Sequence, residues 1–327
     1  MTESTPPAIP QLIALDWGTS SLRAFLMRDG DVLEVRQSRH GIQNLPVPGI
    51  AGFENAFAQI AGEWLVRWPG LPVVASGMVG SAQGWREAPY VRCPATIDNL
   101  AEQGVTVPCG LGVDILIAPG VLFDEPDELP DVMRGEEIQI AGALLQEPSW
   151  NRRSCVVLPG THSKWVRFEE GRLLRYSTYL TGELFAVLSK HSILGRLMPE
   201  GTQGNHGPDV VAFELGLATA RDSRPGDLTH QVFATRTLGL THRLPAEALA
   251  DYLSGLLIGH ELVSALAGLG NAADAPLVMI GDPALCERYV YSLKYLGKAA
   301  DAVLDNTAPT GLWAFAHAAG LIGDANP

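Results

Sequence analysis

The residues best suited to chemistry in this chain are one aspartate and two short polar turns built on glycine. Asp16 ends the apolar run Leu12 to Leu15 and leads into Trp17-Gly18-Thr19-Ser20-Ser21. Halfway along the chain a second apolar run, Cys155 to Leu158, leads into Pro159-Gly160-Thr161-His162. Consecutive backbone N–H groups in tight turns form concavities that bind anions, and glycine lets a ligand approach the backbone closely. Gly18, Thr19 and Ser20 with Gly160, Thr161 and His162 therefore suit a two-sided clamp on a triphosphate. Asp16, at a strand end, is placed to hold Mg2+ through water, because that ion keeps much of its hydration shell. An isolated turn of this kind is equally compatible with a hairpin that holds no ligand; the second copy favours the clamp.

The elements that must position these turns follow from periodicity. After the first turn, Leu22, Ala24 and Leu26 alternate with Arg23 and Phe25 as a strand does, whereas a Walker loop or a dinucleotide fingerprint would open a helix. Asp29-Gly30 makes a hairpin turn and Val32 to Val35 returns as a strand. The second copy repeats the layout: Trp165 to Phe168 is a strand, Glu170-Gly171 a turn and Leu173 to Tyr179 a strand. Gly30 and Gly171 follow Gly18 and Gly160 at nearly equal spacings, an internal repeat of architecture. Phe53, Phe57, Ile60, Trp64 and Leu65 share one helix face, and Leu71 to Ala75 is a strand opening into the polar loop SGMVGSAQGWREAPY. Val113 to Ile117 reads as a strand. A helix is expected from near Gly135 to about Leu145, a long helix over Ala246 to Ala267, a strand over Leu277 to Ile280, and helices over Pro283 to Leu296 and Leu312 to Ile322.

Composition sets the outer bounds. The chain has 327 residues, about right for two domains. A formal net charge of -13 and the lack of a dense basic run argue against a nucleic-acid binder. Cys93, Cys109, Cys155 and Cys286 lack CxxC spacing, which argues for reduced thiols rather than zinc or a redox pair. The start MTESTPPAIPQ has neither the basic opening nor the apolar stretch of a signal, and no long charge-free apolar run follows, so a cytoplasmic protein without membrane contact is expected.

Asp16 to Ala24 (DWGTSSLRA) resembles the first phosphate motif of the acetate and sugar kinase, heat-shock cognate and actin superfamily. Pro159 to Trp165 (PGTHSKW) resembles the second phosphate motif, and Leu277 to Leu285 (LVMIGDPAL) the adenosine motif, with Gly281 where the purine would lie on the backbone. Four further segments are similar to one family, the 2-dehydro-3-deoxygalactonokinases: Ser76 to Val91, Val132 to Leu144, Leu158 to Val166 and Tyr179 to Leu194. The resemblance implies an α/β protein of two actin-like (ribonuclease H-like) lobes with an ATP cleft between them. It also implies ATP with Mg2+, and transfer of the terminal phosphoryl group to the 6-hydroxyl of 2-dehydro-3-deoxy-D-galactonate. The expected division is residues 1–148 plus the closing helix 307–327 as one lobe and 149–306 as the other.

Such a reaction needs a carboxylate near the acceptor hydroxyl and a positive site for the substrate carboxylate. Related sugar kinases place a catalytic Asp in a GDQ setting before the second phosphate hairpin; here Gly135-Glu136-Glu137 stands there, which makes Glu136 the first candidate for the base, with Glu137 and Asp16 as competitors. Two glutamates in a first helical turn also simply complement the helix dipole. The loop after the strand Leu71 to Ala75 offers Gln83, Trp85, Arg86, Glu87 and Tyr90 for sugar hydroxyls. Arg86 is the first candidate for the substrate carboxylate, with Arg134 and Lys164 as alternatives. Arg23 suits an ion pair as well as a ligand contact. The expected partners are a small-molecule sugar acid and ATP, with a homodimer left open. A kinase of a related sugar acid or polyol, or an actin-like ATPase scaffold, are the rival readings.

Overall fold

The computed structural model describes residues 9–199 and 209–323. In chain order its first part contains β1 (Leu12–Trp17), β2 (Leu22–Arg28), β3 (Asp31–Ser38), α1 (Ile50–Arg67), β4 (Val73–Ser76), β5 (Tyr90–Arg92), α2 (Ile97–Glu102), β6 (Val105–Pro108), β7 (Asp114–Ile117), β8 (Gly120–Phe123), β9 (Asp131–Met133) and α3 (Glu136–Gln146). Then follow β10 (Arg153–Leu158), β11 (Ser163–Glu169), β12 (Arg172–Tyr179), α4 (Thr181–His191), α5 (Val210–Arg221), α6 (Leu228–Leu240), α7 (Leu249–Gly268), β13 (Leu277–Ile280), α8 (Pro283–Tyr295), β14 (Ala302–Leu304) and α9 (Ala308–Ala318).

Two sheets carry the repeat. The first runs β3-β2-β1-β4-β7-β6 and the second β12-β11-β10-β13-β14, so a hairpin-connected triplet is followed by the same crossover in each. β1 pairs antiparallel with β2 and parallel with β4, which pairs parallel with β7. In the second sheet β10 pairs parallel with β13, and β13 with β14. One sheet pattern used twice is the arrangement of actin-like lobes. A small third sheet, β5-β8-β9, has no counterpart in the sequence reading, because its strands are three or four residues long and too short to show a period.

By contacts the chain forms two compact units. One comprises Met1–Arg153, Phe168–Arg175 and Asn306–Pro327; the other comprises Ser154–Arg167 and Tyr176–Asp305. The core of the first gathers Trp17, Phe53, Phe57, Trp64 and Trp85 between its six-stranded sheet and α1. The core of the second gathers Val157, Trp165, Phe213, Leu262, Met279 and Tyr289. The closing helix starts earlier than its apolar period suggests, at Ala308, because Pro309 is tolerated in a first turn where its missing N–H has no partner to lose. It ends at Ala318, short of the expected Ile322, with Gly320 in the left-handed region just beyond (φ 70°). Among the described residues no helix is long and apolar enough to cross a membrane.

Candidate active site

In the first unit three chain segments converge on the carboxyl end of β1. Asp16 lies opposite Ser76 in the parallel β1–β4 pairing and opposite Arg23 across the β1–β2 hairpin. Gly77 follows Ser76 with φ 91°, and a Cβ there would meet the Trp17 carbonyl oxygen at 2.8 Å. Gly135, with φ 108°, is so close that its own Cβ would lie 3.2 Å from the Gly77 Cα. Only glycine fits both demands at these two positions, a left-handed backbone and a bare-backbone contact. The result brings the N-terminus of α3, with Glu136 as its first residue, beside the strand ends that carry Asp16 and Ser76.

Helix α3 is itself fixed by α9. A Cβ at Gly142 would meet the Thr307 carbonyl oxygen at 2.1 Å, and one at Gly311 would meet that of Ile138 at 1.8 Å, so the two backbones touch where both are glycine. Thr307 Oγ1 donates to the Gln139 carbonyl at 2.6 Å.

The two glutamates of α3 divide into different environments. Glu136 is half-buried, and one of its oxygens accepts from the Arg134 N–H at 3.1 Å. Glu137 is 3% exposed, and both its oxygens accept from the Gly135 N–H, at 2.8 and 2.7 Å. Its carboxylate faces the protein interior, which corrects the expectation that it competes for the acceptor hydroxyl: it caps the helix and holds Gly135 in its left-handed conformation. Burial, and after it the Glu136 charge, push the Glu137 carboxyl up to about 8. A carboxyl raised from 4.5 binds its proton more tightly in the folded state, so folding is favoured below about pH 4.5 and that contribution is lost as pH rises toward 8. Glu137→Gln keeps an acceptor for the Gly135 N–H but cannot ionise. Its stability relative to the parent should therefore grow between about pH 5 and 8, by ~1 kcal/mol per pH unit, measured by denaturant unfolding of the two proteins in parallel. A difference that stays flat across that range would show that Glu137 titrates normally.

Asp16 has a related tension: burial raises its carboxyl, while the Arg23 guanidinium, 3.8 Å away, lowers it. Arg23 is thus a loose ion partner of Asp16. Ser76 Oγ, buried on the neighbouring strand, has no hydrogen-bond partner.

The loop that follows Ser76 folds tightly on itself, with the Trp85 N–H bonded to the Val79 carbonyl at 2.9 Å. Trp85 departs from the expected sugar-facing role. It is 7% exposed, stacked on Phe53 at 5.8 Å and edge-on to Trp17 at 5.9 Å, because its large apolar ring fills the unit's core. This anchor leaves Arg86 and Glu87 exposed on its C-terminal side, and among the described residues the Arg86 side chain has no ion-pair or hydrogen-bond partner. Gln83 lines a cleft of about 520 Å³ with Gln43, Ile50 and Phe53. Tyr90 is partly exposed, and the Arg134 guanidinium stacks on its ring at 4.3 Å while donating to the Ala88 carbonyl at 2.8 Å. Arg134 Nε and Nη1 are buried without hydrogen-bond partners, so this residue braces the loop against the start of α3 rather than standing free as a cation.

The first turn is backed by a returning loop: Ile42 and Gln43 donate to the carbonyls of Gly18 and Thr19, both at 3.1 Å. The Thr19 and Ser20 side chains are exposed, and their N–H groups carry no hydrogen bond among the described residues. In the second unit the N–H groups of Thr161 and His162 are likewise unused, and a Cβ built on Gly160 would meet nothing within 4 Å. His162 Nε2 lies 2.5 Å from a carboxylate oxygen of Glu183, in the first turn of α4. Lys164, an alternative to Arg86 for the substrate carboxylate, is 5% exposed, and its ammonium donates to Thr178 Oγ1 at 2.7 Å. Gly281 follows β13 and precedes α8, and its N–H is bonded to the Leu304 carbonyl at 3.2 Å.

The family pattern described as 2-keto-3-deoxy-galactonokinase matches residues 16–315. The chain belongs to this family. The 2-dehydro-3-deoxygalactonokinase of Escherichia coli (strain K12) is 36% identical over 307 residues, covering 94% of this chain and 97% of that one. The solved structure of a Sinorhizobium meliloti protein assigned as a 2-dehydro-3-deoxygalactonokinase is 33% identical, with a TM-score of 0.79 over 94% of this chain and 98% of that one. Membership makes the chain a kinase, a phosphotransferase with an alcohol group as acceptor, and the structural match carries the actin-like fold.

Each turn by itself offers unused N–H groups of the kind that suit the phosphates of ATP, the kinase substrate, and the second has open space above Gly160. Mg2+ fits the Asp16 carboxylate beside the unpartnered Ser76 hydroxyl. Among the described residues no group of three or more His, Cys, Asp or Glu could hold a metal, so the ion would be held by Asp16, water and phosphate oxygens. The sequence does not single out Ser76, although a signal is present: like Asp16 it is a polar residue near the end of an apolar strand.

Proposed function

We propose that this kinase transfers the terminal phosphoryl group of ATP to the 6-hydroxyl of 2-dehydro-3-deoxy-D-galactonate, in cytoplasmic galactonate catabolism. The observation that carries the reading is the convergence of Asp16, Ser76 and the Glu136 end of α3, held by the Gly77–Gly135 contact. In this reading the unit with Asp16 supplies the first phosphate turn and the acceptor site, and the unit with Gly160 supplies the second turn and the adenosine segment. Mg2+, when bound, neutralises charge that develops on the terminal phosphates. Glu136 accepts the proton of the acceptor hydroxyl as its oxygen bonds to the terminal phosphorus and the bond to the ADP oxygen breaks. The unpaired, exposed Arg86 is the cation for the substrate carboxylate.

A coupled assay for ADP release against the galacto and gluco epimers of 2-dehydro-3-deoxy acids, with a panel of other sugar acids and polyols, tests this. The expected result is turnover strongly favouring the galacto epimer. Equal or better turnover of another acceptor would transfer the reading to that substrate, and acceptor-independent ATP hydrolysis would sink it.

A further inference from the structure

Glu261 is 2% exposed on α7, and its carboxylate is the meeting point of side chains from three other elements. Trp165 Nε1 of β11 donates to one oxygen at 2.8 Å. Tyr289 OH of α8, at 2.6 Å, and Thr181 Oγ1 of α4 donate to the other. Burial raises the carboxyl, and hydrogen bonding with Thr181, Tyr289, Trp165 and Ser163 opposes the rise.

A carboxylate accepts and does not donate, so it fixes the direction of every hydroxyl bond that ends on it. With the Tyr289 proton on Glu261, the 3.0 Å contact between Ser163 Oγ and Tyr289 OH has serine as donor. That leaves the Ser163 oxygen facing the Gly160 N–H at 3.4 Å. One chain of bonds thus runs from the glycine of the second phosphate turn to Glu261. A second route arrives through Thr181. The next residue, Gly182, is packed so closely on the turn that its Cβ would lie 2.5 Å from the Gly160 carbonyl oxygen, and the Glu183 N–H donates to the Thr161 carbonyl at 3.0 Å. Every donor to Glu261 therefore belongs to the hairpin that carries the turn, to the helix packed on it, or to α8, which follows the adenosine segment. A carboxylate that merely filled a polar gap would have no reason to gather all its partners there.

We infer that Glu261 is a positioning residue for the second phosphate turn, and that it sets the affinity for ATP rather than the rate of transfer or the affinity for the acceptor. This rests on the reading of that turn as a phosphate site.

The test is steady-state kinetics of Glu261→Gln, Glu261→Leu and Tyr289→Phe in the full-length enzyme, with Gly160→Val run alongside. Glu261→Gln keeps an acceptor for part of the set and should raise KM for ATP about tenfold, since one or two charge-assisted hydrogen bonds are weakened. Glu261→Leu should raise it further. Tyr289→Phe, which removes one donor to Glu261 together with its contact to Ser163 and leaves the Thr181 route in place, should raise it by roughly threefold. In all three, kcat and KM for the sugar acid should stay within about threefold of the parent, a split that general loosening of the fold would not produce. If the Glu261 variants do not fold, Tyr289→Phe decides the matter by the same split. Gly160→Val introduces a side chain into open space and should abolish ATP binding with the fold intact. Loss of ATP binding in Gly160→Val together with an unchanged KM for ATP in the folded Glu261 and Tyr289 variants would overturn the positioning role alone. Normal ATP binding by Gly160→Val would overturn the phosphate-site reading and the inference with it.

Discussion

Asp16→Asn should remove nearly all activity, by a factor on the order of 10³ or more, from a protein that is at least as stable as its parent. The two halves of this expectation have separate causes. Activity falls because the substituted amide would present no charge to the Mg2+ that neutralises the terminal phosphates, and in phosphoryl transfer electrostatic stabilisation and positioning supply most of the catalysis. Stability should not fall because desolvation of the half-buried Asp16 raises its carboxyl, opposed by the Arg23 guanidinium 3.8 Å away. A group with a raised folded-state value destabilises the fold once ionised, so a neutral isostere relieves the cost near neutral pH. The expected pairing of lost activity with unchanged or higher melting temperature is the mark of a functional charge held against folding preference. ADP release at saturating Mg2+, measured beside thermal unfolding, checks both halves. Near-normal turnover would remove Asp16 from the metal site. Lost activity with a large drop in melting temperature would make the residue structural.

The sequence exposed the sheet elements around both turns because each is apolar, long enough to show its period, and bounded by glycine. The strands read as Leu22 to Leu26 and Leu173 to Tyr179 are found as Leu22–Arg28 and Arg172–Tyr179. Asp16, Gly18 and Gly160 stand out for the same reason, since Asp16 lies near the end of the apolar strand β1 and the two glycines follow the ends of β1 and β10. What stayed hidden depends on contacts between distant segments. Nothing local marks Gly77 and Gly135 as touching, yet their contact brings Glu136 toward Asp16. Trp85 looked like a ligand-facing aromatic because its neighbours in the loop are polar; its ring instead fills the core beside Trp17 and Phe53. Lys164 lies just before the strand read at Trp165 to Phe168, and its burial follows because β11 starts earlier, at Ser163, with both of its faces covered over its first four residues. The sequence does not mark helices α4, α5 and α6. Their exposed apolar residues, such as Leu184, Val211 and Phe233, blur the amphipathic pattern that would have announced them.

Glu136→Gln should lower kcat by ~10²- to 10⁴-fold and leave KM for ATP nearly unchanged, the range that a positioned general base contributes. The structure separates Glu136 from its neighbour in a way the sequence could not. Glu137 spends both carboxylate oxygens on the Gly135 N–H inside the protein, whereas Glu136 is half-buried at the very start of α3. Its bond from the Arg134 N–H engages one oxygen and holds the side chain back toward the Gly135 bend, where Gly77 and the strand ends meet. Glutamine would preserve that bond and the helix while losing the ability to take a proton, so the variant isolates proton transfer from folding. Glu137→Gln should reduce kcat much less, because its effect reaches the reaction only through the placement of Gly135. A loose transition state draws little help from a base, so the decisive comparison is between the two variants at several pH values. If Glu136 is the base, its variant loses the acid limb of the parent's kcat profile and Glu137→Gln retains it. A Glu136→Gln enzyme within about threefold of the parent, or a larger loss in Glu137→Gln, would move the base to another carboxylate.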